Sequence, residues 1–517
     1  MGKKAVVIGS GFGGIAISLR LKKLGYDTTI IEKLDELGGR ARVFEVNGFK
    51  HDAGPTVITA PFLFDELFSL FGKKREDYLS FVPLEPWYRY YFHDGKTFDY
   101  CSTIHKTNKE ISKYDNRDIK GYSKLLNQSK KIFDVGFTQL ADKPFISFFK
   151  MLGVIPNLII LKSYFTVSQL VNSYLKNPYL RKAFSIHPLL VGGDPHTTTS
   201  IYALIHYLER KWGVFFCMGG TGKIVSELKQ LMIDCGIKIK TNTEAKEFIV
   251  ENNRITKILT NNEEISNIDL VVCNADPPMV YSKLLKKQNL RRPVLKEKNL
   301  LYSMGLFVLF FGTKKQYHKV AHHTIWMTER FKSLLHDIFK NKILSEDFSL
   351  YIHRPTATDK SFAPEGCDSF YVLCPVPNLQ GNINWDVESE NLKNKIVKEL
   401  SKTIMPDLEN NITDVFWMNP KDFKNDYNSM HGAGFSIAPI FTQSAWFRYH
   451  NKYKKIRNRL SIALENWMKS QEDFLLEDPI SILKPTLHPL DKNSKWNRVP
   501  QSLTGKLKNE DYIKLHY

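Results

Sequence analysis

Three glycines near the amino terminus and one acidic residue form the pattern with the clearest chemical meaning in this sequence. Gly9, Gly11 and Gly14 follow the short apolar run "AVVI". Glycines at this spacing permit a tight turn, a close approach of the backbone to a pyrophosphate, and close packing of a helix on a strand. Glu32 closes the next apolar run, where an acidic residue accepts hydrogen bonds from ribose hydroxyls. The four residues together predict a dinucleotide-binding site.

The segments around these residues predict a strand, a helix and a second strand. Apolar residues recur at helical spacing in "IAISLRLKKLGY", and Gly25 is placed to end this helix. "DTTIIEK" predicts the next strand. A helix that begins directly after the glycines would point its first N–H groups at the phosphates. NAD and FAD share such a βαβ unit, so these residues leave the choice between the two cofactors open.

Length and charge set limits on the kind of protein. A chain of 517 residues is too long for one core, so we expect at least two domains. The net charge of +19 suits either an anionic lipid surface or a lysine-rich solvated surface. The sequence has no zinc-finger spacing and no RNA-binding signature, so we expect no nucleic-acid partner.

Cysteine usage and hydropathy predict the compartment. The 6 cysteines are scattered without a Cys-x-x-Cys pair, which is typical of reduced thiols, and no metal site is predicted. The first strand begins too early to leave room for a signal peptide, and no apolar run reaches the roughly 18 residues of a membrane span. We therefore expect a cytoplasmic protein.

Two further segments resemble the large flavoproteins of the amine-oxidase and carotenoid-desaturase type. "ELGGRARV" follows the acidic strand, and "HDAGPTVI" comes shortly after it. In that superfamily the Gly-Gly-Arg lies along the FAD pyrophosphate and the Asp-x-Gly-Pro segment runs beside the flavin. The resemblance implies that the cofactor is FAD. It assigns to the cofactor site Gly38, Gly39, Arg40, Gly54, Pro55 and Thr56.

Within that superfamily the chain resembles the bacterial-type phytoene desaturases. The likeness runs from about residue 4 to 452 and includes "GGDPHTTTSIYALIHYLERKWGVFFCMGGTGK" and "QSAWFRYHNK", in which Tyr449 replaces the usual proline. It implies FAD-dependent desaturation of 15-cis-phytoene, an apolar C40 polyene, to coloured carotenes such as lycopene. A related polyene isomerase or saturase, a later desaturase of the pathway, and a catalytically silent FAD- or carotenoid-binding remnant remain alternatives.

The resemblance also implies an α/β fold in which a Rossmann-like FAD-binding domain is interleaved with a mixed α+β substrate domain and a helical membrane-facing segment. The FAD-binding domain would comprise residues 1–80 and 221–290, and an FAD-proximal element would span 426–452. The substrate and membrane-associating region would be 81–220, the substrate domain 291–425, and an atypical tail 453–517. A strand from Leu270 to Cys273 would bring Asp276 near the flavin, and Glu244 would have a structural role.

The implied chemistry removes a hydride from an allylic carbon to the flavin and a proton from the neighbouring carbon. The electrons would then pass to oxygen or a quinone. Such a site needs an apolar slot and exclusion of water more than a charged triad. His187, Asp194 and His196 lie in the central motif and are the candidates to accept the proton, although each could instead be structural.

Two apolar segments predict where the substrate and the membrane would lie. "EPWYRYYF" concentrates aromatic residues that would either line a pocket or form the core of a sheet: Trp87, Tyr88, Tyr90, Tyr91 and Phe92. Lys143 to Val171 is the most apolar stretch, but Lys150, Pro156 and Lys162 interrupt it. It is unfit to span a bilayer and suited to lie on one, so we expect peripheral attachment to lipids at the inner face of the cell membrane. A buried pair of core helices is the alternative.

The carboxyl-terminal part departs from the family pattern. The relatives would have a second glycine-rich turn soon after residue 452, whereas Gly505 is the only glycine after Gly434 in this chain. "PTLHP" is at most a trace of that turn. Either the reading frame was lost near residue 452, which predicts weak FAD binding, or a divergent tail has replaced the usual one.

Overall fold

A computed structural model describes residues 2–137, 153–285 and 300–444 of this protein, together with the backbone of residues 461 and 462. Residues 143–152 of the predicted membrane-facing segment lie outside the described residues, as does "AWFRYHNK". The predictions for the tail from residue 453 also lie outside them, apart from those two backbone positions.

The strands are numbered in chain order over the described residues. They are β1 (Lys4–Ile8), β2 (Asp27–Ile31), β3 (Val43–Val46), β4 (Phe49–Asp52), β5 (Phe81–Pro83), β6 (Tyr88–Phe92), β7 (Thr97–Tyr100), β8 (Phe215–Cys217), β9 (Lys238–Lys240), β10 (Ala245–Glu251), β11 (Arg254–Thr260), β12 (Glu264–Ser266), β13 (Leu270–Cys273), β14 (Gly305–Thr313), β15 (His323–Met327), β16 (Leu350–His353), β17 (Asp368–Val376), β18 (Ile412–Met418) and β19 (Ser461–Ile462).

The longer α-helices of the described residues are numbered in the same way. They are α1 (Phe12–Lys23), α2 (Phe62–Ser69), α3 (Ile104–Ser112), α4 (Arg117–Gly136), α5 (Ile155–Ile160), α6 (Val167–Tyr174), α7 (Pro178–Ser185), α8 (Leu204–Trp212), α9 (Gly220–Asp234), α10 (Phe331–His336), α11 (Trp385–Lys402) and α12 (Pro420–Tyr427).

The glycine motif belongs to a parallel sheet with the strand order β19-β13-β1-β2-β9. β1 and β2 pair in parallel and α1 connects them, so the strand, helix and strand predicted from the motif are present. β13 has the predicted bounds, and all of its residues are buried. Side chains of α1 and α9 pack against this sheet, which explains why its inner strands carry few polar residues.

A second sheet, with the order β18-β14-β17-β16-β15-β6-β7, forms the other half of the described molecule. Its strands come from chain segments that are far apart, and β6 pairs in parallel with β15. β14 is buried along its whole length. Its side chains alternate between the two faces: Phe307 and Leu309 pack against α11, while Leu306 and Val308 lie on the opposite face.

The fold is therefore of the α/β class. One sheet is parallel, the other is mixed, and the segments that build the two sheets alternate along the chain.

The segment predicted to face the membrane is only partly exposed. Ile159 and Ile160 of α5 are 60% and 72% exposed. Val167 and Val171 of α6 are fully buried in a cluster that includes Leu125 of α4. The prediction that the apolar stretch is interfacial as far as Val171 is therefore wrong, because α6 uses its apolar face to pack on α4.

Within the described ranges, no helix combines the length and the apolar composition needed to cross a bilayer.

Candidate functional site

The glycine loop between β1 and α1 forms one wall of a cavity of about 420 Å³. Gly9 has a φ angle of +85°, a conformation that glycine adopts without strain. A Cβ atom on Gly14 would lie 1.9 Å from the carbonyl oxygen of Gly9. Gly14 does not line the cavity itself; its missing side chain lets α1 approach the loop. No side chain caps the first turn of α1, and Gly11, Phe12 and Gly13 line the cavity there.

Hydrogen bonds from Ser10 and Leu34 hold the Glu32 side chain beside this loop. Its Oε2 accepts from the backbone N–H of Ser10 at 2.8 Å and from the Ser10 hydroxyl at 2.7 Å. Its Oε1 accepts from the backbone N–H of Leu34 at 3.0 Å. Glu32 lines the cavity. Each carboxylate oxygen has two lone-pair sites, so Oε1 keeps capacity for a ribose hydroxyl.

The other predicted cofactor residues continue the same wall. Gly38 and Gly39 have φ angles of +108° and +56°, and a Cβ atom on Gly54 would lie 1.8 Å from the carbonyl oxygen of Arg40. The guanidinium of Arg40 donates to the Ser429 hydroxyl at 3.1 Å. The predicted residues that line the cavity are Gly9, Gly11, Glu32, Gly38, Gly39, Arg40, Gly54, Pro55 and Thr56.

Asp276 lies just behind this wall. Its carboxylate accepts hydrogen bonds from the Ser436 hydroxyl and, at 3.4 Å, from the backbone N–H of Met430. The neighbouring residues Ala275 and Pro277 line the cavity, whereas Asp276 does not. Its carboxylate therefore holds the loop at 430–436 in place, and direct contact of Asp276 with the flavin stays a prediction.

Beyond the glycine wall the same cavity is lined mainly by apolar side chains, which we call the apolar arm. Most of them come from the segment 186–205 and from the second sheet. They are Ile186, Leu189, Leu190, Val191, Ile205, Met304, Leu306, Ile325, Met327, Phe331, Leu350, Tyr351, Tyr371 and Leu373. A cavity of this size with few polar groups is typical of a site for an apolar ligand.

One carboxylate of the cavity lining, Glu209 on α8, is completely buried among these side chains. Its Oε1 accepts from the Tyr88 hydroxyl at 2.9 Å, and its Oε2 lies 3.0 Å from Nε2 of His187. Burial and the Glu209 carboxylate raise the pKa of Tyr88, so Tyr88 remains a hydrogen-bond donor. Glu209 lies in a segment that carries the family resemblance, but its spacing alone does not distinguish it from a surface acid.

The three predicted proton acceptors are not grouped together. His187 contacts Glu209 but does not itself line the cavity. Asp194 accepts a hydrogen bond from the backbone N–H of His196 at 2.8 Å, and neither residue lines the cavity. Burial raises the pKa of Asp194 and lowers the pKa of His196. A catalytic role for these residues stays a prediction.

Most of the aromatic side chains between residues 87 and 92 pack in the protein core and do not line the cavity. Trp87, Tyr90 and Phe92 are buried in the core beside the second sheet, which was the alternative to a pocket lining. Tyr88 of the same run lines the cavity. Glu244, for which a structural role was expected, also lines the cavity and accepts a hydrogen bond from the Asn428 amide at 3.2 Å.

The donors and acceptors of the glycine wall fit FAD. The uncapped first turn of α1 offers N–H groups to a pyrophosphate, and Glu32 offers carboxylate oxygens to a ribose. Side chains at Gly14 and Gly54 would collide with the backbone of the wall itself, since their Cβ atoms would lie 1.9 Å and 1.8 Å from carbonyl oxygens. The apolar arm continues from this wall, so a flavin bound along the wall would meet the arm.

Comparison with known proteins agrees with this geometry. Residues 12–474 match the family model of flavin containing amine oxidoreductases. The chain is 42% identical over 461 residues to the phytoene desaturase (lycopene-forming) of Pseudescherichia vulneris, which covers 88% of this chain and 93% of the relative. It is 36% identical over 462 residues to the phytoene desaturase (neurosporene-forming) of Rhodobacter capsulatus, with 88% of each chain covered.

A solved structure shares the fold at much lower sequence identity. Cyclohexylamine oxidase from Brevibacterium oxydans IH-35A is 13% identical, covers 92% of this chain and 96% of its own, and superposes with a TM-score of 0.57. The protein is an FAD-dependent oxidoreductase. The length and identity of these matches show that the chain belongs to the flavin containing amine oxidoreductases and, within them, to the carotenoid desaturase family.

Proposed function

We propose that this protein desaturates 15-cis-phytoene to coloured carotenes such as lycopene. The observation that carries the proposal is the continuity of one cavity from the glycine wall into the apolar arm, with Glu209 as a buried carboxylate inside it. The names of the relatives support the choice of substrate, since they are phytoene desaturases that form lycopene or neurosporene.

The apolar arm binds a polyene through burial of hydrocarbon surface. A polyene has no group that can accept or donate a strong hydrogen bond, so its affinity comes from the roughly 25 cal/mol gained per Å² of apolar surface removed from water. Side chains such as Leu350 and Leu373 on the second sheet and Ile205 on α8 provide that surface. They also keep water away from the reacting carbons.

Each desaturation removes two hydrogens from neighbouring carbons and leaves one new double bond. FAD, when bound, accepts one hydrogen as hydride. The substrate must lose the other as a proton, and Glu209 is the carboxylate of the apolar arm that can accept it. Tyr88 and His187 each hold one of its oxygens, so the carboxylate is oriented before the substrate arrives.

The Glu209 carboxylate would also stabilise the positive charge that develops on the substrate during the reaction. Loss of hydride before the proton leaves positive charge on the allylic carbons. A carboxylate in a dry, apolar site interacts with that charge more strongly than it would in water. The two electrons removed from the substrate would finally pass to an acceptor such as oxygen or a quinone.

Peripheral contact with the inner face of the cell membrane would supply the substrate. The exposed apolar side chains of α5 and the nearby Tyr164, which is 65% exposed, support this part of the proposal. The net charge of +19 supports it as well, because anionic headgroups attract a basic surface.

Coexpression with a phytoene-producing pathway tests the proposed function. We expect the host to accumulate red carotenes, and the Glu209→Gln variant to leave phytoene unchanged while still binding FAD. Isomerised or saturated polyenes would instead assign the related isomerase or saturase activity. Unchanged phytoene with normally folded, flavin-loaded protein would identify a silent binding remnant and contradict the proposal.

A further inference from the structure

Three buried histidines lie together behind the wall of the apolar arm. His322 immediately precedes β15, His323 begins β15, and His353 ends β16. The antiparallel pairing of these strands sets His323 directly opposite His353. One ring nitrogen of each histidine lies within 4.8 Å of the other two. His323 and His353 have no exposed surface, and His322 is 6% exposed.

Two of the rings are oriented by hydrogen bonds through one nitrogen only. Nδ1 of His322 lies 2.6 Å from the hydroxyl of Thr358, and Nδ1 of His323 lies 2.8 Å from the hydroxyl of Tyr351. Among the residues that the structure describes, Nε2 of both rings has no hydrogen-bond partner, and neither nitrogen of His353 has one. Metal-ligating histidines are held in this way, with one nitrogen fixed by an oxygen and the other left for the metal.

A buried carboxylate oxygen lies beside the three rings. Oδ2 of Asp52 is 3.9 Å from Nε2 of His353 and has no hydrogen-bond partner within the described part of the chain. Its other oxygen accepts from the backbone N–H of Thr221 at 3.0 Å. Burial of polar atoms without partners is costly, and a cation among the rings would interact favourably with all of them.

We propose that His322, His323 and His353 bind one divalent transition-metal ion, with zinc as the best match. Imidazole nitrogens suit zinc, copper, iron and nickel, and zinc accepts three protein ligands in a tetrahedral site. Asp52 balances the charge of the ion from the side of His353.

The distances between the rings allow this with small adjustments. Ligand atoms at about 2.0–2.1 Å from a tetrahedral zinc ion are about 3.4 Å apart. The three nitrogens, now within 4.8 Å of one another, would close by side-chain rotation.

The ion would stabilise one wall of the cavity. The Tyr351 hydroxyl bridges Nδ1 of His323 and the Thr56 hydroxyl, which lies 2.6 Å from it, and both Tyr351 and Thr56 line the cavity. A metal that fixes the His323 ring therefore fixes the side chain between the second sheet and the predicted flavin site. The proposal does not depend on the identity of the substrate.

Metal analysis of the purified whole chain tests the site directly. The protein is isolated through a tag without histidines after growth with added zinc, and metal and flavin are measured per chain. We expect about one zinc ion per chain, because the cluster offers one set of three ligands, and retention of the metal in metal-free buffer. Less than a tenth of an equivalent of any transition metal in the wild-type chain would overturn the proposal.

Three variants sharpen this test. His353→Gln should abolish stoichiometric metal, whereas His206→Gln should retain it. His206 is as completely buried as His353 but lies outside the cluster. Tyr351→Phe keeps all three ligands and should weaken metal affinity about 10–100-fold in a competition with a chelator. Equal metal content in the wild-type and His353→Gln proteins would assign any bound metal to another site and overturn the proposal.

Discussion

The glycine wall and the apolar arm belong to one cavity but are built in opposite ways. The wall consists largely of backbone from a few short segments, with glycines at positive φ such as Gly9 and Gly38. The arm consists of side chains from the segment 186–205 and from strands that are far apart in the chain, such as β15 and β17. The difference follows from the ligands: phosphates need N–H donors and close approach, whereas a polyene needs only a shaped apolar surface.

One buried carboxylate, Glu32, lines the glycine wall, and another, Glu209, lines the apolar arm. Their surroundings differ as the wall and the arm do. Glu32 accepts hydrogen bonds from backbone groups of the adjacent loops. Glu209 is held by two side chains, Tyr88 and His187, that the tertiary structure brings to it. We infer that Glu32 contributes to cofactor affinity and Glu209 to the chemical step, and substitutions can separate these two contributions.

The largest effect is expected for Glu209→Gln. The amide retains the size of the side chain but cannot accept the substrate proton, so carotene formation per bound flavin should fall about 10²- to 10⁴-fold. FAD content should not change. Glu66→Gln is the control, since Glu66 is a partly buried carboxylate that does not line the cavity and pairs with Arg20 at 3.0 Å. Wild-type turnover in Glu209→Gln would show that the proton goes elsewhere.

Gly14→Ala should act on the other half of the cavity. The added Cβ would lie 1.9 Å from the backbone oxygen of Gly9, and we expect a loss of about 3 kcal/mol in the free energy of unfolding, the upper part of the usual range for overpacking. Thermal unfolding and flavin content measure the effect. Gly136→Ala, where the nearest atom to the new Cβ is 3.5 Å away, should be neutral or slightly stabilising. Normal flavin content in Gly14→Ala would contradict the close packing of α1 on the loop.

Glu32→Ala should weaken FAD binding by about 1.5–3 kcal/mol, the value of a hydrogen bond to a charged group. Titration of the flavin-free protein with FAD measures the loss. Turnover per bound flavin should remain near the wild-type value, in contrast to Glu209→Gln. If Glu32→Ala lowered turnover at saturating FAD instead, the division of roles between the two carboxylates would be incorrect.

The smallest effect concerns the exposed apolar side chains of α5. Ile160→Ser on α5 should weaken binding to anionic vesicles by about 1.5 kcal/mol, the lower value for burial of an isoleucine. High salt should weaken the binding further, because the electrostatic part is screened. Ile233→Ser is the matched control. Ile233 is a 49% exposed isoleucine on α9, the helix that packs against the parallel sheet. Equal vesicle binding by both variants would remove α5 from the membrane contact.

The parallel sheet and the glycine loop were largely predictable from sequence. The bounds of β13 agree with the prediction, and α1 with its two strands follows the glycine spacing. These features depend on residues close in sequence, so periodicity and glycine position carry the information. The sequence pattern of Lys143 to Val171 was less informative. An apolar helical face looks the same whether it meets lipid or, like α6, another helix.

Residue types and their spacing specify the glycine wall, the acidic residue beside it and, through resemblance, the family and FAD. The contacts of Glu209 with Tyr88 and His187, and of His322 and His323 with His353, arise only from tertiary packing. Backbone geometry at a turn is a local property, which residue type and spacing record. Contacts between distant strands and helices depend on how the sheets pair, and no spacing along the chain records that pairing.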